Sequence, residues 1–211
     1  MKAKSIKGKS TAEIEAALTD SRSDGFTPTL AICFISKAMD RKAISGLLDA
    51  AGISIFGCTT NGEFIDEETE KESAAILLMD MKKEHFQVYF EEYPEKNYRE
   101  VAKGIAQQAS QRFTVPAFLI GTSHAAADGE EVLQGIAEVA GPAVNAYGGA
   151  AGDDYSFTGT YVFTNGRDSG HGIVCIALDE TKVKIKGVAT CGWKAVGTER
   201  TVTRSEGNHV Y

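Results

Sequence analysis

Residues 147–157 read Tyr-Gly-Gly-Ala-Ala-Gly-Asp-Asp-Tyr-Ser-Phe. Glycines and alanines this dense let a backbone bend sharply and let another group approach it closely. Asp153 and Asp154 sit where the bend is expected to end. An apolar run at 143–146 leads in and a β-rich run at 160–163 follows, which reads as a strand, a tight glycine loop with acids, and another strand. The same design stands earlier in the chain. Residues 53–56 are apolar, and Gly57-Cys58-Thr59-Thr60-Asn61-Gly62-Glu63 follows them. Two copies of one unusual loop point to a duplicated domain with a site near the loops.

Working outward, the elements around each loop match in order. Ser10-Thr11-Ala12-Glu13 reads as a capping box opening a helix with Ile14, Ala17 and Leu18 on one face. Residues 30–35 are a continuous apolar run, the pattern of a buried strand. Asp40 caps a second helix carrying Ile44, Leu47, Leu48 and Ala51, and Gly52 stops it. The acidic stretch 63–72 reads as a solvated excursion, and 74–79 and 86–90 as strands. The pattern then restarts. Asn97-Tyr98-Arg99-Glu100 is another capping box, 117–120 a strand, Asp128 a cap for a helix with Leu133, Ile136, Ala137 and Ala140, and Gly141-Pro142 its stop. Strands at 143–146, 161–163, 173–178 and 183–189 complete it.

The spacing of equivalent residues is regular. Ser10 and Asn97 are 87 apart, Pro28 and Pro116 88, Gly52 and Gly141 89, and Gly57 and Gly148 91. Two copies at this period indicate duplication rather than a solenoid. The predicted fold class is α+β: two pseudo-repeats of α-β-α-β-β-β, about 8–94 and 95–195, with mixed sheets packed together and helices outside.

Composition narrows the function classes. Hydrophobic residues at 43% and charged residues at 24% allow a sizeable core in 211 residues. A net charge of −7 disfavours nucleic acid and anionic membrane, which select basic patches. No apolar run approaches the roughly 20 residues of a membrane helix, and no apolar signal core follows the basic N-terminus. A cytoplasmic location is expected. Cys33, Cys58, Cys175 and Cys191 show no paired spacing, and Cys33 and Cys175 read as buried free thiols. His85 and His171 share no ligand spacing with any cysteine, so no metal is expected, and no cofactor motif is present. The glycine run lacks the dinucleotide spacing, and a strand rather than a helix follows it.

Five segments together resemble the FIST N-terminal domain. They are Gly57-Cys58-Thr59-Thr60-Asn61-Gly62-Glu63, residues 148–154, residues 161–166 with Gly192-Trp193-Lys194-Ala195-Val196-Gly197, and the tail 201–211. The resemblance runs in register over nearly the whole chain. It implies a bacterial, non-enzymatic sensory module of signal-transduction proteins that binds small molecules such as amino acids. It also implies partners: a C-terminal FIST C-like domain, or a signalling output protein. On this reading residues 1–195 form the sensory domain and 196–211 a linker toward an absent C-terminal domain.

Each candidate residue has a functional and a bland reading. The glycine loops are ligand cradles whose free N–H groups hold a carboxylate while Asp153 or Asp154 holds an ammonium, or they are structural turns. Ser123 and His124 follow a strand among small residues, and His124 is a candidate donor or an ordinary loop histidine. Cys58 beside Thr59 and Thr60 invites a nucleophile reading, which needs a nearby base and a lowered pKa. Trp193 packs the second repeat or walls a pocket. Arg204 clamps a ligand or pairs with Glu206 on the surface. The expected ligand site is Cys58, Thr59, Thr60, Asn61, Ser123, His124, Gly149, Asp153, Asp154 and Arg204, with none catalytic. The alternative is a cysteine-dependent hydrolase or acyl transferase using Cys58.

Overall fold

The computed structural model describes residues 1–65, 68–93, 95, 97–123, 127–188, 190–206 and 209–211. The first part of the chain runs β1 (Ala3–Gly8), α1 (Thr11–Ser21), β2 (Leu30–Ile35), α2 (Arg41–Ala50), β3 (Ser54–Thr59), β4 (Glu63–Ile65), β5 (Glu68–Glu70) and β6 (Ala74–Met79). The second runs β7 (Phe86–Glu92), α3 (Tyr98–Arg112), β8 (Pro116–Thr122), α4 (Gly129–Ala140), β9 (Ala146–Ala150), β10 (Val162–Thr164), β11 (Arg167–Ser169) and β12 (Gly172–Asp179). A short tail hairpin follows, β13 (Ser205–Glu206) and β14 (His209–Val210).

Local chemistry explains the helix starts. The Ser10 hydroxyl accepts from the Glu13 N–H, and the Glu13 carboxylate accepts from the Lys9 N–H. Asp40 caps α2 by accepting from the Ala43 N–H, and Asp128 caps α4 by accepting from the Glu130 and Glu131 N–H groups. Asn97 stands at the start of α3, but its side chain makes no cap bond. Gly52 after α2 takes a φ of 72°, the left-handed conformation that glycine tolerates best.

The strands form two mixed sheets. A six-stranded sheet has the order β1-β6-β2-β3-β10-β11, and a four-stranded sheet has the order β7-β12-β8-β9. In each, one pair is parallel, β2 with β3 and β8 with β9, and the remaining neighbours are antiparallel. Alternate residues of a strand face opposite sides, so every central strand feeds two cores. On one outer face Ile14 and Leu18 of α1 and Ile44 and Leu48 of α2 pack on Cys33, Ile35, Ile55 and Ile76. On the other, Ala102, Ile105, Val132 and Ile136 of α3 and α4 pack on Phe118, Ile120, Ile173 and Cys175. Between the sheets lie Leu30, Phe56, Cys58, Met79, Phe86, Phe90, Val174, Ile176 and Leu178. The fold is α+β, with the sheets facing each other and helices outside. No helix among the described residues is long and apolar enough to cross a membrane.

Several elements differ from the sequence expectation. β1 was not expected, because Ile6 is the one apolar residue in a strand otherwise of small and basic residues after Ala3. β7, expected as the last strand of the first unit, pairs with β12 in the other sheet. The stretch after Gly62 is solvent-facing over most of its described residues, but it is ordered: β4 and β5 pair as a hairpin, and its first residue, Glu63, is only 2% exposed. β9 takes in Gly148 and Gly149, so the glycines belong to an edge strand, and β3 takes in Gly57 and Cys58. The sharp bend comes later, where Asp154, Tyr155 and Phe157 all have positive φ. Described residues from 183 onward form no strand before β13; Val183 and Ile185 instead pack on the inter-sheet core.

Candidate functional site

The two motif segments meet. The Gly152 N–H donates to the Thr59 carbonyl at 2.7 Å, the Asp154 N–H to the Thr60 carbonyl at 3.1 Å, and the Asp153 N–H to the Asn61 Oδ1 at 2.9 Å. Gly152 is required at this crossing, because a Cβ there would lie 2.5 Å from the Asn61 Oδ1. Thr59 is fully buried and ties the same region to the start of β10. Its N–H donates to the Tyr161 carbonyl, and its hydroxyl oxygen accepts from the Tyr161 N–H at 2.9 Å.

These contacts wall a cavity of about 330 Å³ between the sheets. Phe34 of β2 and Phe56 and Cys58 of β3 form one side, Leu119 and Ile120 of β8 another, and Gly148, Gly149 and Ala150 of β9 a third. Thr59, Thr60, Asn61 and Gly152 close the polar end. Phe34 is 42% exposed, so the cavity has an aromatic, solvent-reaching wall. β9 is an edge strand with a paired neighbour on one side only. The Ala151 N–H and the Asn145 carbonyl bond β8, so by strand alternation the peptide groups of Gly148 and Ala150 face the open edge. A second cavity, of about 450 Å³, shares Phe34 and Thr60 with the first and reaches Glu63, Ile32 and Leu77. A third, of about 560 Å³, lies between β9 and α4 and shares Gly148, Gly149 and Ala150.

Cys58, Thr59, Thr60, Asn61 and Gly149 therefore come together at the first cavity. The others do not join it as lining groups. Asp153 is 8% exposed, and its Oδ2 accepts from the Thr158 and Gly159 N–H groups at 2.8 and 3.2 Å. Burial alone pushes this carboxyl up, but the backbone donors Thr158, Gly159 and Phe157 and the Ser156 hydroxyl outweigh it and hold the group below its usual range. Asp154 accepts from the Ser36 hydroxyl at 2.6 Å and the Lys37 N–H at 3.1 Å, which pins the bend to the end of β2. Both acids thus hold the loop together. Ser123 is fully buried and exchanges hydrogen bonds with Gly172 of β12. Arg204 lies in the exposed tail, its guanidinium 4.9 Å from the Tyr211 ring. Trp193 is 91% exposed, so it neither packs the second unit nor walls a pocket. His124 lies outside the described residues.

The Cys58 thiol faces Gly121 across the sheets, where any side chain would overlap its sulfur. Burial pushes this thiol up to about 12. A thiol so placed is a packing group rather than a thiolate. Sequence reasoning missed Phe34, Leu119 and Glu63. Phe34 sits in an unbroken apolar run, and nothing local marks it as the residue where the inner face opens.

A family model describing the FIST N domain matches residues 29–211. The chain belongs to the FIST N domain family. No curated protein matches it. Membership is consistent with a sensory domain of signal transduction. In this FIST N domain the match begins just before β2, so it takes in every residue that lines the first cavity, and it extends through the exposed tail.

Proposed function

We propose that this FIST N domain senses a small polar metabolite, an amino acid first, in the cavity between the ends of β3 and β9. The observation that carries the reading is the meeting of residues 59–61 with 152–154 at a cavity of about 330 Å³. That volume falls in the range of small-molecule sites, and its apolar walls with a few convergent polar groups have the usual composition of one. The open edge of β9 adds main-chain donors suited to a carboxylate. Binding there bridges the two sheets, so it is able to alter how a neighbouring FIST C-like domain or signalling output protein is engaged. Free cysteines throughout the described chain support an intracellular setting.

The reading is non-enzymatic. The raised pKa of Cys58 and its contact with Gly121 count against a cysteine nucleophile. The test is a thermal-shift screen of the purified chain against the twenty amino acids and common organic acids. Selective stabilisation that grows with concentration is expected, about 2.7 kcal/mol at a hundredfold excess over Kd. A well-folded sample that shifts with none of them overturns the reading.

A further inference from the structure

Glu63 opens β4 directly after the Thr60-Asn61-Gly62 turn and is 2% exposed. Its carboxylate oxygens accept from the Thr60 hydroxyl at 2.5 Å and the Ser73 hydroxyl at 2.9 Å. Among the described residues no lysine, arginine or histidine lies within ion-pair distance of it. The basic residues of neighbouring β1 and of the turn after it are committed elsewhere, Lys4 to Asp24, Lys7 to Glu68 and Glu70, and Lys9 to Glu70. Asp153, buried to a similar degree, has main-chain donors from its own loop. Glu63 has two neutral hydroxyls. Buried charges in proteins are ordinarily paired with an opposite charge.

The missing partner has a place to come from. Glu63 lines the cavity of about 450 Å³ together with Ile32, Leu77 and the half-exposed Phe34. Thr60 and Phe34 border this cavity and the first one alike. We infer that Glu63 is the anionic anchor of the ligand site and that the ligand carries a protonated amine, seated between this carboxylate and the Phe34 ring, with its apolar body on Ile32 and Leu77. Phe34 adds the attraction of an aromatic face for a cation. The inference rests on the small-ligand reading above and assigns it a charge. Thr60 transmits occupancy: its hydroxyl holds Glu63 while its carbonyl holds the Asp154 N–H. An ammonium that draws on the Glu63 carboxylate therefore acts on the crossing of the two motif segments.

The test compares wild type and Glu63→Gln by thermal shift and calorimetric titration. The probes are the twenty amino acids, n-butylammonium, and the N-acetyl derivative of each amino acid that binds. Wild type is expected to bind amine-bearing probes and to lose at least tenfold in affinity for their N-acetyl forms. Glu63→Gln is expected to lose at least tenfold for the amine-bearing probes and to unfold, without ligand, at the same temperature as wild type or higher. A purely structural Glu63 would lower it. Equal binding of amine and N-acetyl probes by wild type overturns the inference alone, and that comparison stands even if the variant does not fold. Unchanged binding by Glu63→Gln also overturns it alone. Failure of every amino acid and of n-butylammonium to bind wild type overturns the inference together with the ligand reading.

Discussion

Asp153 owes its ionised form to the N–H groups of Thr158 and Gly159 and sits below its usual pKa despite burial. A carboxyl depressed in the folded state adds stability above its unfolded value of roughly 4, and that stability fades as pH falls through the folded value. Urea unfolding of Asp153→Asn should therefore show a deficit relative to wild type at pH 7 that shrinks steadily below pH ~4. A deficit of constant size across that range would contradict the assignment. The two glycines of β9 give a sharper contrast. A side chain on Gly148 would strike the Ile120 carbonyl, whereas one on Gly149 meets nothing within 4 Å. Gly148→Ala should cost about 1–3 kcal/mol of stability as overpacking does. Gly149→Val should keep the fold, since a β-branched residue suits a strand. It should also occupy the cavity and abolish the ligand-induced thermal shift. The caps at Ser10, Asp40 and Asp128 were legible because their partners lie within three residues. Glu63 was not: its burial depends on Ser73 and on a hairpin folding over it, and in sequence it is one acid in an acidic run.

At the scale of elements, the β10–β11 hairpin has the largest reach. It follows β9 of the four-stranded sheet, yet it extends the other sheet through Val162 opposite Cys58 and Phe163 opposite Gly57. Phe163 is 1% exposed in the core beneath α1 and α2, and Gly57 is bare because its ring fills the space. Arg41 at the start of α2 clamps the same segment, with its guanidinium 3.9 Å from the Tyr161 ring and an ion pair to Asp168 at 3.2 Å. Phe163→Ala should lose about 3–5 kcal/mol, the usual cost of emptying an aromatic site in a core. Denaturant midpoints at unchanged slope would measure it. Sequence periodicity found the strand but not its partner, because a two-residue alternation says which face is buried and nothing about which sheet. The strand expected at 183–189 failed in a related way: Val183 and Ile185 satisfy the alternation by packing on the inter-sheet core without a ladder.

The whole molecule depends on both sheets at once. The inner faces of β2, β3 and β6 are covered by residues of β7 and β12, so the first part of the chain has no finished core of its own. Residues 1–81 expressed alone should lack a cooperative melting transition and bind a hydrophobic dye. Mixing with residues 82–211 should restore a single transition. A cooperative melt from 1–81 alone would show that the inter-sheet core is dispensable. The α+β class and the outward placement of helices were readable from the order of apolar runs and caps. The pairing of β7 and β10 was not, since both depend on contacts far apart in sequence.

The crossing of β10 to β3 also sets a timetable during synthesis. β3 leaves the ribosome about a hundred residues before the strand that completes its edge, a wait of roughly 5–20 s at 5–20 residues per second. For that interval β3 presents an unpaired, apolar edge to the cell, of the kind chaperones recognise and neighbouring nascent chains invade.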